Sequence, residues 1–156
     1  MKYLNNLFLS LMLIALISCS DDNQKNVNVS ASVQRSDELP ENPLLMIPLT
    51  SSVSPKNKTM STLYGNSIAR DHAQKDADLQ YPEGTILYEV TWHQQADEFW
   101  FGANIPKEIK CVERVSVDDD TFHYQIFKGK PLKKVVSEND SLRMNYITSQ
   151  KMAFTP

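Results

Sequence analysis

The stretch Thr85–Pro106, TILYEVTWHQQADEFWFGANIP, contains both tryptophans and the strongest strand pattern in the chain. Its first part alternates in side-chain character, as expected for a strand whose successive residues point to opposite faces. One face is apolar: Ile86, Tyr88, Val90 and Trp92. The other is half polar: Leu87, Glu89, Thr91 and His93. We therefore predict a core strand here, followed by a polar loop and an aromatic cluster.

Downstream of this stretch, the pattern predicts a hairpin and one more strand. Two alternating runs, Val112–Val117 and Phe122–Phe127, flank a turn of three aspartates, Asp118–Asp120. A further turn, Gly129–Pro131, precedes a short strand predicted from Leu132 to Val136. Because consecutive strands on short turns pair side by side, we expect an antiparallel arrangement.

Two helices are predicted on either side of these strands. Met60, Tyr64, Ile68 and His72 recur every four residues, which predicts a helix from an N-cap at Thr59 to about Asp76. A C-terminal helix is predicted after a cap at Asn139 or Asp140. The predicted fold class is α+β: a mainly antiparallel sheet of about four or five strands, with an N-terminal and a C-terminal helix packed on it.

The first residues have the features of an export signal. A basic residue precedes an apolar run that is too short to span a bilayer comfortably, and Leu16–Cys19 resembles a bacterial lipobox. We predict a lipoprotein signal peptide over residues 1–18 and acylation of Cys19. Residues 19–57 are rich in Asn, Ser, Asp and Pro, which predicts a flexible tether to a domain over residues 58–156. The apolar run Pro43–Leu49 is an exception that suggests contact with the domain.

These features predict a location and a membrane partner. Ser20, rather than an aspartate, follows Cys19, which favours the outer membrane over retention at the inner one, with the domain facing the periplasm. The formal net charge of −3 and the lack of a basic patch argue against a nucleic-acid partner. Once Cys19 is acylated, Cys111 has no partner for an intramolecular disulfide and is predicted to be a buried small side chain.

The common catalytic patterns are missing from the sequence, which has no Gly-rich phosphate loop, no Gly-x-Ser-x-Gly, no His-Glu-x-x-His and no Cys-x-x-Cys. No catalytic residue and no metal site are predicted; the aspartate turn lacks the spaced ligands of a calcium loop. The candidate ligand-binding residues are His93, Glu98 and Trp100, at and after the end of the core strand. His93 is either a histidine hydrogen-bonded to the loop or a ligand to haem iron.

Several segments together resemble the cytochrome P-460-like family, in particular its short exported members. They cover about Thr59 to Pro156 and comprise Met60–Asn66 with Ala69, Tyr81–Thr85, Val90–Trp92, Gln94–Asp97, Trp100–Ala103 with Ile105–Pro106, Val112–Glu113 and Ser149–Pro156. The resemblance implies a mainly antiparallel sheet with helices. It also implies, for haem-containing members, hydroxylamine oxidation or gas binding through a c-type haem. Here Cys19 and Cys111 lack the Cys-x-x-Cys-His attachment motif, so no haem-attaching residue is carried over.

The function predicted from the sequence is a lipid-anchored envelope module with a P-460-like fold, which serves in small-ligand binding or envelope interaction without covalent haem. The alternative is a redox enzyme or gas-binding protein that holds haem noncovalently, with His93 as axial ligand and Glu98 as proton relay. Whether the chain is an enzyme stays open at this level.

Overall fold

The computed structural model describes residues 27–75 and 80–153, and within them the fold is α+β. One antiparallel sheet has six strands that follow one another in sequence order. They are β1 (Ile47–Ser54), β2 (Thr59–Gly65), β3 (Ile86–Ala96), β4 (Asn104–Asp118), β5 (Thr121–Lys128) and β6 (Lys133–Val135). The predicted class and antiparallel pairing are confirmed, with six strands in place of four or five.

Two α-helices lie within the described residues: α1 (Ser67–Ala73) between β2 and β3, and α2 (Asp140–Ser149) after β6. Asn139 is the N-cap residue of α2, as predicted. Two 3₁₀ turns, Val29–Ala31 and Pro43–Leu45, precede β1. No helix in the described part of the chain is long and apolar enough to cross a membrane. The predicted signal peptide and Cys19 lie outside the described residues.

The structure corrects the helix that the sequence predicted from Thr59. Its first half is strand β2, and α1 begins only after Asn66, whose side-chain oxygen accepts a hydrogen bond from the Ala69 amide at 3.0 Å. Met60 and Tyr64 are four residues apart, which is also a multiple of the two-residue period of a strand, so both lie on one strand face. Pairing with β1 on one side and β3 on the other decides in favour of the strand.

Gly65 allows α1 to pack against the end of β2. A Cβ atom added there would lie 2.7 Å from Cβ of Ala69 and 3.0 Å from Cδ1 of Leu49. Because Cβ atoms essentially never come this close, glycine is required for the helix to lie on the sheet.

The described part of the predicted tether is folded, which is a second correction. Residues 47–54 form β1, and the preceding residues 28–46, here called the N-terminal segment, cover one face of the sheet. Indole Nε1 of Trp92 donates a hydrogen bond to the Ala31 carbonyl at 2.9 Å. The hydroxyl of Tyr88 donates one to the Glu41 carboxylate. Polar composition suggested a tether, but a few apolar and hydrogen-bonding side chains suffice to dock the segment.

Both faces of the sheet are therefore covered, and the alternation predicted for β3 is confirmed. Tyr88, Val90 and Trp92 pack under the N-terminal segment. Leu87 lies on the opposite face, in the core formed with α1 and α2. We call these the segment face and the helix face.

This packing predicts that the domain needs residues 28–54. A chain beginning at Lys56 would lose β1 and expose the segment face, so we expect it to lose cooperative thermal unfolding and to bind a hydrophobic dye. A chain beginning at Val27 should unfold cooperatively by circular dichroism. Equal melting temperatures for the two chains would contradict the role assigned to the N-terminal segment.

Candidate functional site

An open groove of about 850 Å³ lies on the helix face, beside the core beneath α1 and α2. This volume is within the range of small-molecule sites. The floor comes from β1 to β5, and α2 contributes one wall. The polar lining includes Ser61, Glu89, Thr91, Lys110, Cys111, Glu113, Tyr124, Lys128 and Arg143.

Two carboxylates form the centre of the floor. Glu89 of β3 and Glu113 of β4 are directly paired across the antiparallel strands and share the helix face. They are only 2% and 3% exposed. Like charges placed opposite each other on neighbouring strands repel, and burial adds a desolvation cost. The pair therefore requires a cation close by.

Arg143 of α2 supplies that cation. Its Nη2 donates to Oε2 of Glu89 and to Oε2 of Glu113, both at 2.7 Å, and its Nε donates to Oε1 of Glu113 at 2.8 Å. The hydroxyl of Tyr124 also donates to Oε1 of Glu113. Arg143 lies over the ring of Tyr146, at 4.7 Å from its centroid. We call Glu89, Glu113, Tyr124 and Arg143 the carboxylate cluster.

The cluster shifts the pKa values of its members. Burial raises the pKa of Glu89 above its ordinary value, although Arg143 opposes this shift. Burial and the Glu113 carboxylate raise the pKa of the Tyr124 phenol, which stays a proton donor. Hydrogen bonding to Glu113 raises the pKa of Arg143, which stays charged. With both carboxylates ionised, one arginine leaves the cluster with one uncompensated negative charge.

Hydroxyl and thiol groups continue the floor beyond the carboxylates. The hydroxyls of Ser61 and Thr91 are hydrogen-bonded at 3.0 Å. Cys111 lies opposite Thr91 in the sheet and is a buried free cysteine, as predicted. Burial, followed by the nearby Glu113 charge, raises the pKa of the Cys111 thiol. Because the thiolate is the nucleophilic form, this environment does not activate the cysteine.

A bulge in β4 places Ile109 and Cys111 on opposite faces of the sheet. Thr91 pairs with Cys111 and Trp92 pairs with Ile109, so Lys110 is an extra residue in the strand. Ile109 consequently packs on the segment face with Trp92, while Cys111 and Glu113 lie on the helix face. Lys110 and Lys128 line the groove near Cys111.

The three residues predicted to bind a ligand are not brought together in this groove. His93 is half-buried on the helix face, paired with Thr59, and falls outside the groove lining. Glu98 and Trp100 are exposed in the loop between β3 and β4, with Trp100 at 72% exposure. The turn of aspartates is exposed as well. One carboxylate oxygen from each of Asp118, Asp119 and the exposed Glu83 lies within 4.8 Å of the other two.

The groove residues do not fit a haem group. A noncovalent haem needs an axial ligand and a largely apolar pocket, whereas this floor carries two buried carboxylates bonded to an arginine. His93, the predicted axial ligand, is not part of the lining.

Sequence reasoning placed Glu89 on a half-polar strand face but missed Glu113, Tyr124 and Arg143. One signal was available: Glu89 and Glu113 both occur inside predicted strands, where a buried unpaired acid is costly. The arginine that pairs with both is 30 residues beyond Glu113, on another element. Its identity follows only from the packing of α2.

No protein-family model matches the chain, and no curated protein matches it significantly. The similarity to cytochrome P-460-like proteins thus stays a prediction from the sequence.

Replacing Arg143 by methionine should destabilise the protein, because Glu89 and Glu113 would then be buried side by side without a cation. We expect a loss of about 2–3 kcal/mol in the free energy of unfolding, less than for a fully buried pair because the Arg143 side chain is 38% exposed. Urea unfolding measures this loss.

Arg70→Met is the matched control. Arg70 has the same 38% exposure but pairs with the exposed Asp71, so its replacement should cost below about 1 kcal/mol. Adding Glu89→Gln to Arg143→Met should restore part of the lost stability. Equal losses in the two arginine variants would show that the cluster needs no cation.

The raised pKa of Glu89 predicts a pH dependence of stability. The folded protein holds this proton more tightly than the unfolded chain, whose ordinary value is 4.5. The corresponding stabilisation is complete below that value and is lost as pH rises through the raised pKa. Glu89→Gln should therefore gain stability relative to the wild type as pH rises from about 4 to about 8. Urea unfolding across this range would refute the idea if the difference stayed constant or changed in the opposite direction.

Proposed function

We propose that this chain is a lipid-anchored module on the periplasmic side of the outer membrane. In this proposal it has a P-460-like fold and binds a small molecule that carries a protonated amine, without covalent haem. The ligand class is inferred from the carboxylate cluster at the floor of an open groove. The location is inferred from the lipobox-like residues Leu16–Cys19.

The arrangement of the floor supports ligand binding better than a purely structural role. Ion pairs in protein interiors contribute little net stability, because desolvation offsets the attraction between the charges. Apolar side chains at the positions of Glu89 and Glu113 would extend the adjoining core at no such cost. Charged groups beside a cleft, with a shifted pKa, are typical of functional sites.

When ionised, the two carboxylates carry one negative charge more than Arg143 offsets, and this local excess at the floor supports an amine. A protonated amine bound over the floor would balance that charge and donate hydrogen bonds to carboxylate oxygens. Arg143 donates to the two carboxylates through Nε and Nη2, and its Nη1 takes no part in these bonds. Lys110 and Lys128 on the rim suit an anionic or carbonyl group elsewhere on the same ligand. The ligand class is therefore a small polar amine, with zwitterions included.

The test uses the chain from Cys19 onward with Cys19→Ser, which contains every described residue. The probes are ethanolamine, the twenty standard amino acids, acetate as an anion without an amine, and haemin. At least one amine probe should raise the melting temperature and shift the backbone NMR signals of β3 and β4, because it binds only the folded chain. Acetate should do neither, and haemin should give no stoichiometric Soret shift.

Glu89→Gln should abolish the response to the amine probe, since it removes the uncompensated charge while Arg143 still pairs with Glu113. Glu83→Gln, which changes an exposed carboxylate on the turn before β3, is the matched control and should respond as the wild type does. Binding of acetate in place of amines would overturn the ligand class. One-to-one haemin uptake that His93→Ala removes would favour the haem alternative.

A further inference from the structure

The loop between β3 and β4 exposes three consecutive aromatic side chains. Phe99, Trp100 and Phe101 are 89%, 72% and 109% exposed. They are the tip of the long β3–β4 hairpin and are here called the aromatic tip. Such large apolar side chains normally avoid water, and adjacent exposed ones mark interaction sites.

The tip has a defined conformation. Oδ1 of Asp97 accepts hydrogen bonds from the amides of Phe99 at 2.8 Å and Trp100 at 3.2 Å. The Asp97 amide donates to the Ala103 carbonyl, and the Ala103 amide donates to the Trp100 carbonyl, both at 3.0 Å. Gly102 has a φ of 82°, which glycine adopts without strain. These hydrogen bonds fix the backbone of the loop, and its three aromatic side chains are exposed.

The chain enters the domain beside this hairpin. The side-chain amide of Asn28 donates to the carbonyls of Pro106 at 2.8 Å and Lys107 at 3.1 Å. Pro106 is only two residues from the start of β4 at the tip. Val27 and Val29, next to Asn28, are 56% and 59% exposed. The N-terminal end of the described chain and the aromatic tip thus lie at the same end of the molecule.

That placement limits how far the tip can be from the proposed anchor. Cys19 is eight residues before Val27, and eight residues span at most about 30 Å even when fully extended. A lipid on Cys19 would therefore hold this end of the domain within about 30 Å of the membrane surface, a distance similar to the thickness of the bilayer's hydrocarbon core.

We infer that the aromatic tip inserts into the interfacial region of a zwitterionic lipid bilayer, which orients the domain with the β3–β4 hairpin toward the membrane. This inference rests on the proposed envelope location. Tryptophan and phenylalanine are the side chains that membrane interfaces favour. Asp97 and Glu98 directly precede the tip and would be repelled by anionic headgroups, which points to zwitterionic lipid.

The experiment uses the Cys19→Ser chain, so that any binding comes from the protein surface. The probes are phosphatidylcholine–phosphatidylethanolamine vesicles, with and without brominated acyl chains, and vesicles that contain phosphatidylglycerol. We expect cosedimentation with the zwitterionic vesicles, weaker binding as phosphatidylglycerol is added, and quenching of tryptophan fluorescence by the brominated lipid. Trp92 is 5% exposed beneath the N-terminal segment, so the quenched signal should come from Trp100.

Serine at all three tip positions should weaken vesicle binding at least about tenfold, since it removes most of the apolar area that would enter the lipid. The matched control is Leu45→Ser with Leu142→Ser, at residues that are 84% and 71% exposed on other elements. It should bind as the wild type does. Trp100→Phe should keep vesicle binding and lose the quenching.

Equal vesicle binding by the tip variant and the control, or no binding by the wild type, would overturn the inference. Loss of oligomers in the tip variant without vesicle binding would instead assign the tip to contact between protein copies. The anchor is tested separately by incorporation of labelled palmitate in cells, which should depend on Cys19. If the anchor or the amine-binding site is absent, vesicle binding by the tip remains. Loss of vesicle binding alone therefore identifies a failure of the tip inference.

Discussion

The salt bridges from Arg143 to Glu89 and Glu113 are the interaction on which the polar half of the helix face depends. The strand register places the two carboxylates opposite each other, where repulsion and desolvation both disfavour them. A cation from above the sheet relieves this, and Arg143 of α2 supplies it. The same contact helps to hold α2 over the groove, together with Ile147, which is buried in the core on the same face.

The second constraint is that a single sheet has two faces to bury. On the helix face, Leu87 packs with α1 and α2 over only part of the surface, which leaves room for the groove. On the segment face, Tyr88 and Trp92 are covered by a segment that has little regular structure, held in part by hydrogen bonds to Glu41 and Ala31. A sheet buried on both sides can carry charged groups on one side without losing its core.

Strand alternation around β3 and the β4–β5 hairpin were predictable because a two-residue period is a local property. The helix expected from Thr59 was wrong in its first half, since Met60 and Tyr64 fit both a four-residue and a two-residue period. Hydrogen-bonding partners on β1 and β3 decided between them. The candidate residues His93, Glu98 and Trp100 are close together in sequence, whereas the groove gathers side chains from distant elements.

The sequence by itself determined the class of fold, the faces of β3, the burial of Cys111 and the N-cap of α2, because each depends on neighbouring residues. It also contains the lipobox-like pattern from which the location is inferred. The tertiary structure decided the rest. Docking of residues 28–46, the pairing that turned residues 59–65 into a strand, and the meeting of Glu89, Glu113 and Arg143 all join residues far apart in the chain. Such contacts depend on how the elements pack, and a local pattern carries no information about that.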